Sequence, residues 1–184
     1  EIVSDDPDHL VQIGKADVKR EGADVSVIAH GMMVHLAPEA AETLANEGIQ
    51  VEVLDLRTVQ PLDVESILAT VTKTSRAVVL YESQRYLGTG AEVASLIAEE
   101  AFEALDAPVA RLSPPHVPVP FSPPLEDAYL PQVSDIEEAV RKLIRKGLEG
   151  YGYTVLEADF PENAPRILDE HSGPVHMLVT DVVM

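Results

Sequence analysis

The stretch DVSVIAHGMMVHLAPEAAETLANEGIQVEVLDLRTVQP, residues 24–61, decides how this chain folds. It opens on a β-branched run closed by Gly31, which is the pattern of a buried strand. Next, Ala37, Ala40, Ala41 and Leu44 recur at helical spacing, and Gly48 is the stop. A second apolar run follows over 49–61 and ends at Pro61. Strand, helix and strand joined by short turns make a parallel crossover unit, which is right-handed by default.

The same grammar repeats outward. In LDVESILATVTK, Val64, Ile67, Leu68 and Val71 form one helical stripe. AVVLYES (77–83) reads as a third apolar strand and PVARLSPP (108–115) as a fourth. Between them GTGAEVASLIAEEAFEAL reads as a helix with Glu99, Glu100 and Glu103 toward water. Upstream, VQIGKADVKREG (11–22) is an extended segment ending at Gly22. Downstream, the proline-rich 113–131 is expected to wrap the surface in extended form. Ser134 and Glu137 then read as a capping box for a helix with Ile136, Val140, Leu143 and Ile144 inward. The fold class is α/β, three layers, with a mostly parallel sheet and helices on both faces.

Composition excludes whole classes of function. The 184 residues are enough to bury a real core. A formal charge of −19 argues against nucleic acid and anionic membranes as partners. No apolar run approaches the roughly 20 residues of a membrane span. No Cys is present, so there is no disulfide, thiolate metal site or Cys nucleophile, which fits a reducing cytoplasm.

Four stretches together carry a resemblance: IGKADVKREGADVSVIAHGMMVHLAPEAAETL, VEVLDLRTVQPLD, GTGAEVASLIAEEAFEALDAPVARL and PVPFSPPLEDAYLPQVSDIEEAVRKLI. Residues of about 11–145 resemble the C-terminal domain of the transketolase superfamily, in the form found in beta subunits of thiamine-dependent 2-oxo acid dehydrogenases (pyruvate or branched-chain type). The resemblance implies a five-stranded mixed sheet whose first strand, about 14–20, runs antiparallel to the rest. It implies no catalytic, cofactor-binding or metal-ligating residue here, because the family's cofactor sits in other domains. It also implies a scaffold that dimerises and helps dock an acyltransferase component.

Residues of about 146–184 resemble a slice of a response-regulator receiver domain. GYTVLEA looks like its second strand, PENAPRILDEHSG like its second helix and HMLVTDVVM like its third strand. Asp181 falls on that family's phospho-accepting position, but the segments that would supply its magnesium ligands, hydroxyl and lysine are missing, so it is expected to be vestigial. The chain thus reads as two regions, 1–149 and a receiver-like strand-helix-strand over 150–184 packed on it, joined inside one helix at about 135–149. This is the expectation for a recombined chimera; a divergent C-terminal extension is the alternative. The C-terminal strands 153–157 and 176–182 are expected to extend the sheet or pair across a two-fold axis, making a homodimer.

Single residues add little chemistry. His30 and His35 flank a strand-to-helix turn without a third metal ligand at usable spacing, and His116 lies in the proline-rich wrap. Asp55, Glu82 and Asp181 are expected near the carboxyl ends of strands, where α/β proteins bind ligands. GTG at 88–90 is too short for a dinucleotide fingerprint and is expected to start a helix. The functional expectation is a non-catalytic structural chimera. The alternatives are a dehydrogenase beta-subunit assembly domain that binds the acyltransferase, and a signalling module phosphorylated on Asp181.

Overall fold

The computed structural model describes residues 10–158 and 161–176. Five strands form one sheet: β1 (Asp17–Arg20), β2 (Val25–Ala29), β3 (Val51–Asp55), β4 (Ala77–Leu80) and β5 (Ala110–Leu112). Their order is β1-β3-β2-β4-β5. β1 runs antiparallel to β3, and the other neighbours are parallel. This is the three-layer, mostly parallel fold with one antiparallel strand that the sequence predicts.

Alternation along the strands builds two cores. Val25, Val27, Ala29, Val51, Val53, Val78 and Leu80 face α1 (Met33–Asn46) and α5 (Val133–Gly150). Ile28, Leu54, Val79 and Tyr81 face α2 (Val64–Thr74) and α3 (Thr89–Glu100). On α1 the small residues Ala37, Ala40 and Ala41 are wholly buried, so α5 can approach closely with Ile136, Val140 and Leu143. Each large apolar side chain taken fully from water contributes about 1.5–3 kcal/mol, so these two faces dominate the stability.

Several expectations need correction. On α2 the buried stripe is Ile67, Thr70, Val71 and Thr74. Val64 starts the helix and is exposed, and Leu68 is only partly covered. The threonines are buried because they have partners. The Ser26 hydroxyl lies 2.7 Å from Thr74 Oγ1 and donates to the Thr70 carbonyl at 3.0 Å. The Thr70 hydroxyl donates to Glu52, a carboxylate buried on β3. Periodicity read on apolar residues alone cannot find such positions.

The proline-rich segment is not wholly extended, because α4 (Pro123–Tyr129) forms within it. Pro123 and Pro124 occupy the first helical positions, where a missing N–H costs nothing and the fixed φ suits a helix. At the start of α5 the cap lies two residues earlier than Ser134 and Glu137, at Gln132 and Asp135. The Gln132 N–H donates to Asp135 Oδ2 at 2.8 Å.

Beyond α5, residues 153–158 form no strand, so the sheet is not extended by the expected 153–157. The free edge beside β5 is only three residues long. There the outward carbonyl of Arg111 already accepts from Arg85 Nη1 at 2.7 Å. The helix expected in PENAPRILDEHSG is present as α6 (Ala164–Glu170), after a short 3-10 turn at Pro161–Asn163, but none of its residues is buried. Of the expected strand 176–182, all but His176 lies outside the described residues, as does Asp181. Among the described residues no helix is long and apolar enough to cross a membrane.

Candidate functional site

Parallel α/β sheets bind ligands where connections from neighbouring strands leave in opposite directions. Here that point is the carboxyl edge between β2 and β4, because β2 leads through α1 to β3 while β4 lies on its other side. His30 and Gly31 follow β2, and Glu82 follows β4.

The geometry fills this edge from within. The N–H of Met32, which caps α1, donates to Glu82 Oε1, so a carboxylate from the chain itself sits at the positive end of that helix. Gly31 adopts φ +66°, and a Cβ there would lie 2.3 Å from Glu82 Oε1. The positive φ favours glycine here, and any side chain would also have to displace the Glu82 carboxylate. His30 turns toward α3, with Nε2 2.8 Å from Thr89 Oγ1. Burial holds the His30 imidazole below its usual pKa, and the charges of Glu82 and Asp55 oppose this only in part. The group at this edge is thus an imidazole paired with a hydroxyl, its charged form disfavoured by burial.

Of the residues that the sequence singles out, the fold brings together His30, Glu82 and Thr89 of GTG. Gly88 caps α3 and Gly90 lies under the Tyr81 ring, so GTG does start a helix. Asp55 ends β3 but is committed elsewhere: it accepts from the Arg57 N–H at 2.8 Å and pairs with Lys19 at 3.5 Å. His35 is exposed on α1, and His116 meets Tyr86 edge to face at 5.4 Å. Among the described residues no three His, Asp or Glu side chains converge to hold a metal ion.

A second constellation explains the LRTVQPLD motif. Thr58 Oγ1 accepts from the Gly14 N–H at 3.1 Å and donates to the Pro61 carbonyl at 2.9 Å. Asp63 caps α2 through Ser66 and accepts the Ala16 N–H at 3.0 Å. The motif is a clasp that ties the segment before β1 to the start of α2. Asp63 carries an N-cap signal in the sequence, but its long-range partner Ala16 leaves no local trace.

Residues 14–136 match the family described as the transketolase C-terminal domain. The chain belongs to that family. It is 44% identical over 139 residues to the beta subunit of acetoin:2,6-dichlorophenolindophenol oxidoreductase of Cupriavidus necator, covering 76% of this chain and 41% of that protein. It is 45% identical over 137 residues to the pyruvate dehydrogenase E1 component subunit beta of Bacillus subtilis, covering 74% of this chain and 42% of that protein. A solved split-gene transketolase, an inactive beta4 tetramer, superposes with a TM-score of 0.67 at 31% identity, over 80% of this chain and 46% of that one. The chain therefore spans less than half the length of the curated relatives it matches.

All these likenesses point to one family. They lend no support to the receiver resemblance of 146–184, to Asp181 as a phospho-acceptor position or to a chimera, and they favour the beta-subunit alternative. A thiamine cofactor's diphosphate does not fit at the β2–β4 edge. The helix N-terminus at the β2–β4 edge already holds Glu82, and a second anion there would be repelled by it.

Proposed function

We propose that this chain is the assembly domain of a thiamine-dependent dehydrogenase beta subunit acting on a 2-oxo acid or on acetoin. In this reading it performs no catalysis itself. It holds beta subunits together as a homodimer and helps dock an acyltransferase component. The observation that carries the reading is the identity of 44–45% to two such beta subunits over about three quarters of the chain. The self-filled carboxyl edge supports it, since Glu82 takes the place a ligand would use. So does the clasp of Thr58 and Asp63, which fixes the backbone where a preceding segment joins β1.

Sedimentation velocity of the full chain, alone and with the subunit-binding domain of a pyruvate dehydrogenase acyltransferase, tests the proposal. The expected result is a dimer that shifts to a larger species with the acyltransferase domain. A monomer that ignores that domain would overturn it. Calorimetric titration with thiamine diphosphate and Mg²⁺ is expected to give no stoichiometric heat.

A further inference from the structure

Beside the β2–β4 point, at the carboxyl ends of β4 and β5, the loop after β4 and the segment after β5 enclose an open groove of about 750 Å³. Arg85, Tyr86, Arg111, Pro114, Pro115 and His116 line it. Two features of its lining bear on what it could bind.

The first is a pair of arginines without acids. Lys15, Lys19, Arg57, Lys73, Arg76, Arg141 and Arg145 each pair with a carboxylate. Among the described residues Arg85 and Arg111 have no such partner; Arg20 and Lys146 have none either, but Arg85 and Arg111 line one groove together. The two are held by each other's backbone instead. Arg85 Nη1 donates to the Arg111 carbonyl at 2.7 Å, and Arg111 Nη1 donates to the Arg85 carbonyl at 3.4 Å. Each guanidinium keeps its Nε and Nη2 hydrogens, a preset fork for an oxyanion. Two like charges held side by side repel unless an anion joins them.

The second feature is the lining. Tyr86 and His116 stand edge to face, and Tyr86 is 64% exposed. With Pro114 and Pro115 they form a rigid apolar wall. A free phosphate would answer the guanidiniums and leave that wall in water, whereas an extended peptide covers both. The outward carbonyl of Arg111 is already taken, so the peptide would be read by its side chains rather than added as a strand.

We propose that this groove docks an extended acidic segment of a partner protein, whose carboxylates meet Arg85 and Arg111 while its apolar residues pack on Tyr86, His116 and the prolines. The inference stands apart from the assembly reading, since neither the acyltransferase domain nor thiamine diphosphate enters its test.

The test is fluorescence anisotropy of the full chain with a labelled, capped peptide, Glu-Pro-Val-Glu-Pro, at low and high salt. Saturable, salt-sensitive binding is expected. Arg85→Gln with Arg111→Gln should weaken it at least about tenfold, as should replacing the peptide's glutamates by glutamine. The circular dichroism melt of the variant should stay unchanged. If that variant fails to fold, Arg85→Lys with Arg111→Lys keeps the charge, loses the fork and is still expected to weaken binding. No saturable binding, or equal binding by a folded variant, would overturn the proposal. So would displacement by equimolar inorganic phosphate, which would make this a free-anion site. A self-associated form that dissociates in the double variant would assign the groove to a second copy and would also overturn it.

Discussion

The phenol of Tyr151 donates to Asp106 Oδ1 at 2.8 Å, and the other oxygen of the same carboxylate receives Arg76 Nη2 at 2.8 Å. Asp106 thus joins three parts of the chain: the turn before β4, the turn before β5 and the exit of α5. Arg76 Nη1 extends the link by donating to the Asp24 carbonyl at 3.2 Å. Tyr151 lies beyond the family match and beyond α5, so this contact helps to fasten the residues that follow the helix to the domain.

Asp106→Ala is therefore expected to cost about 1.5–3 kcal/mol in urea denaturation, since it strips a half-buried guanidinium of its charged partner. Tyr151→Phe should leave the denaturation midpoint almost unchanged. Both should speed amide exchange at 151–153, and equal protection in wild type and variants would contradict the fastening role.

Asp63 is nearly buried and takes hydrogen bonds from Ala16 and from both the amide and the hydroxyl of Ser66. Asp63→Ala removes a helix cap, worth about 0.5–2 kcal/mol, and leaves the Ala16 N–H without its acceptor. Limited proteolysis should then cut first near residues 10–16. Asp63→Asn should lose less, because an amide oxygen can still accept.

Acid should destabilise this domain, and two buried carboxylates, Glu52 and Asp63, contribute to that loss. Burial raises the Glu52 carboxyl, but hydrogen bonds from Lys73, Thr70 and Gly22 outweigh it, and the net pKa lies below 4.5. Burial likewise acts against Asp63, and bonds from Ala16 and Ser66 bring it below 3.8. A carboxyl depressed in the folded state binds protons more tightly when unfolded. Its stabilisation is complete above the unfolded value and is lost as pH falls through the folded one. Stability measured by urea midpoint should accordingly be flat above about pH 5 and fall below it. Glu52→Gln should be less stable at pH 7 and lose less between pH 5 and 3.

Gly90 begins α3 against the face of Tyr81. A Cβ at this position would sit 1.9 Å from Tyr81 Cε1, and the ring is wholly buried with no room to retreat. Gly90→Ala is expected to destabilise by about 1–3 kcal/mol or more, although alanine is the better helix former. Gly48, where nothing lies within 4 Å but φ is +79°, separates space from backbone strain. Gly48→Ala should cost about 1 kcal/mol, from conformation alone. Thermal denaturation of the two variants should rank Gly90→Ala as the more damaging.

The alternation of strand and helix over 24–112 could be read directly from the sequence. So could the burial of Ala37, Ala40, Ala41 and Leu44, and the motifs of about 11–145 carry the resemblance to the family that matches 14–136. These features rest on periodicity and on short motifs, which act within one element. The helix α4 was hidden by its own prolines, which break a helix inside it but start one at its first turn. The strand expected at 153–157 shows the opposite error. Apolar residues in GYTVLEA satisfy a strand pattern, yet a strand needs an open edge to pair with, and the β5 edge is short and covered by Arg85.

By itself, the sequence determined the α/β class, the two faces of the sheet and the positions of most elements, because each depends on side chains at fixed local spacing. Only the tertiary structure decided what those elements bring together. Met32 meets Glu82 across 50 residues, His30 meets Thr89 across 59, and Arg85 exchanges carbonyls with Arg111 across 26. Such contacts depend on the strand order β1-β3-β2-β4-β5, which sets β2 beside β4 and β4 beside β5. Hydrogen bonds between residues so far apart leave no periodic mark, since neither partner's neighbours need change for the pair to form.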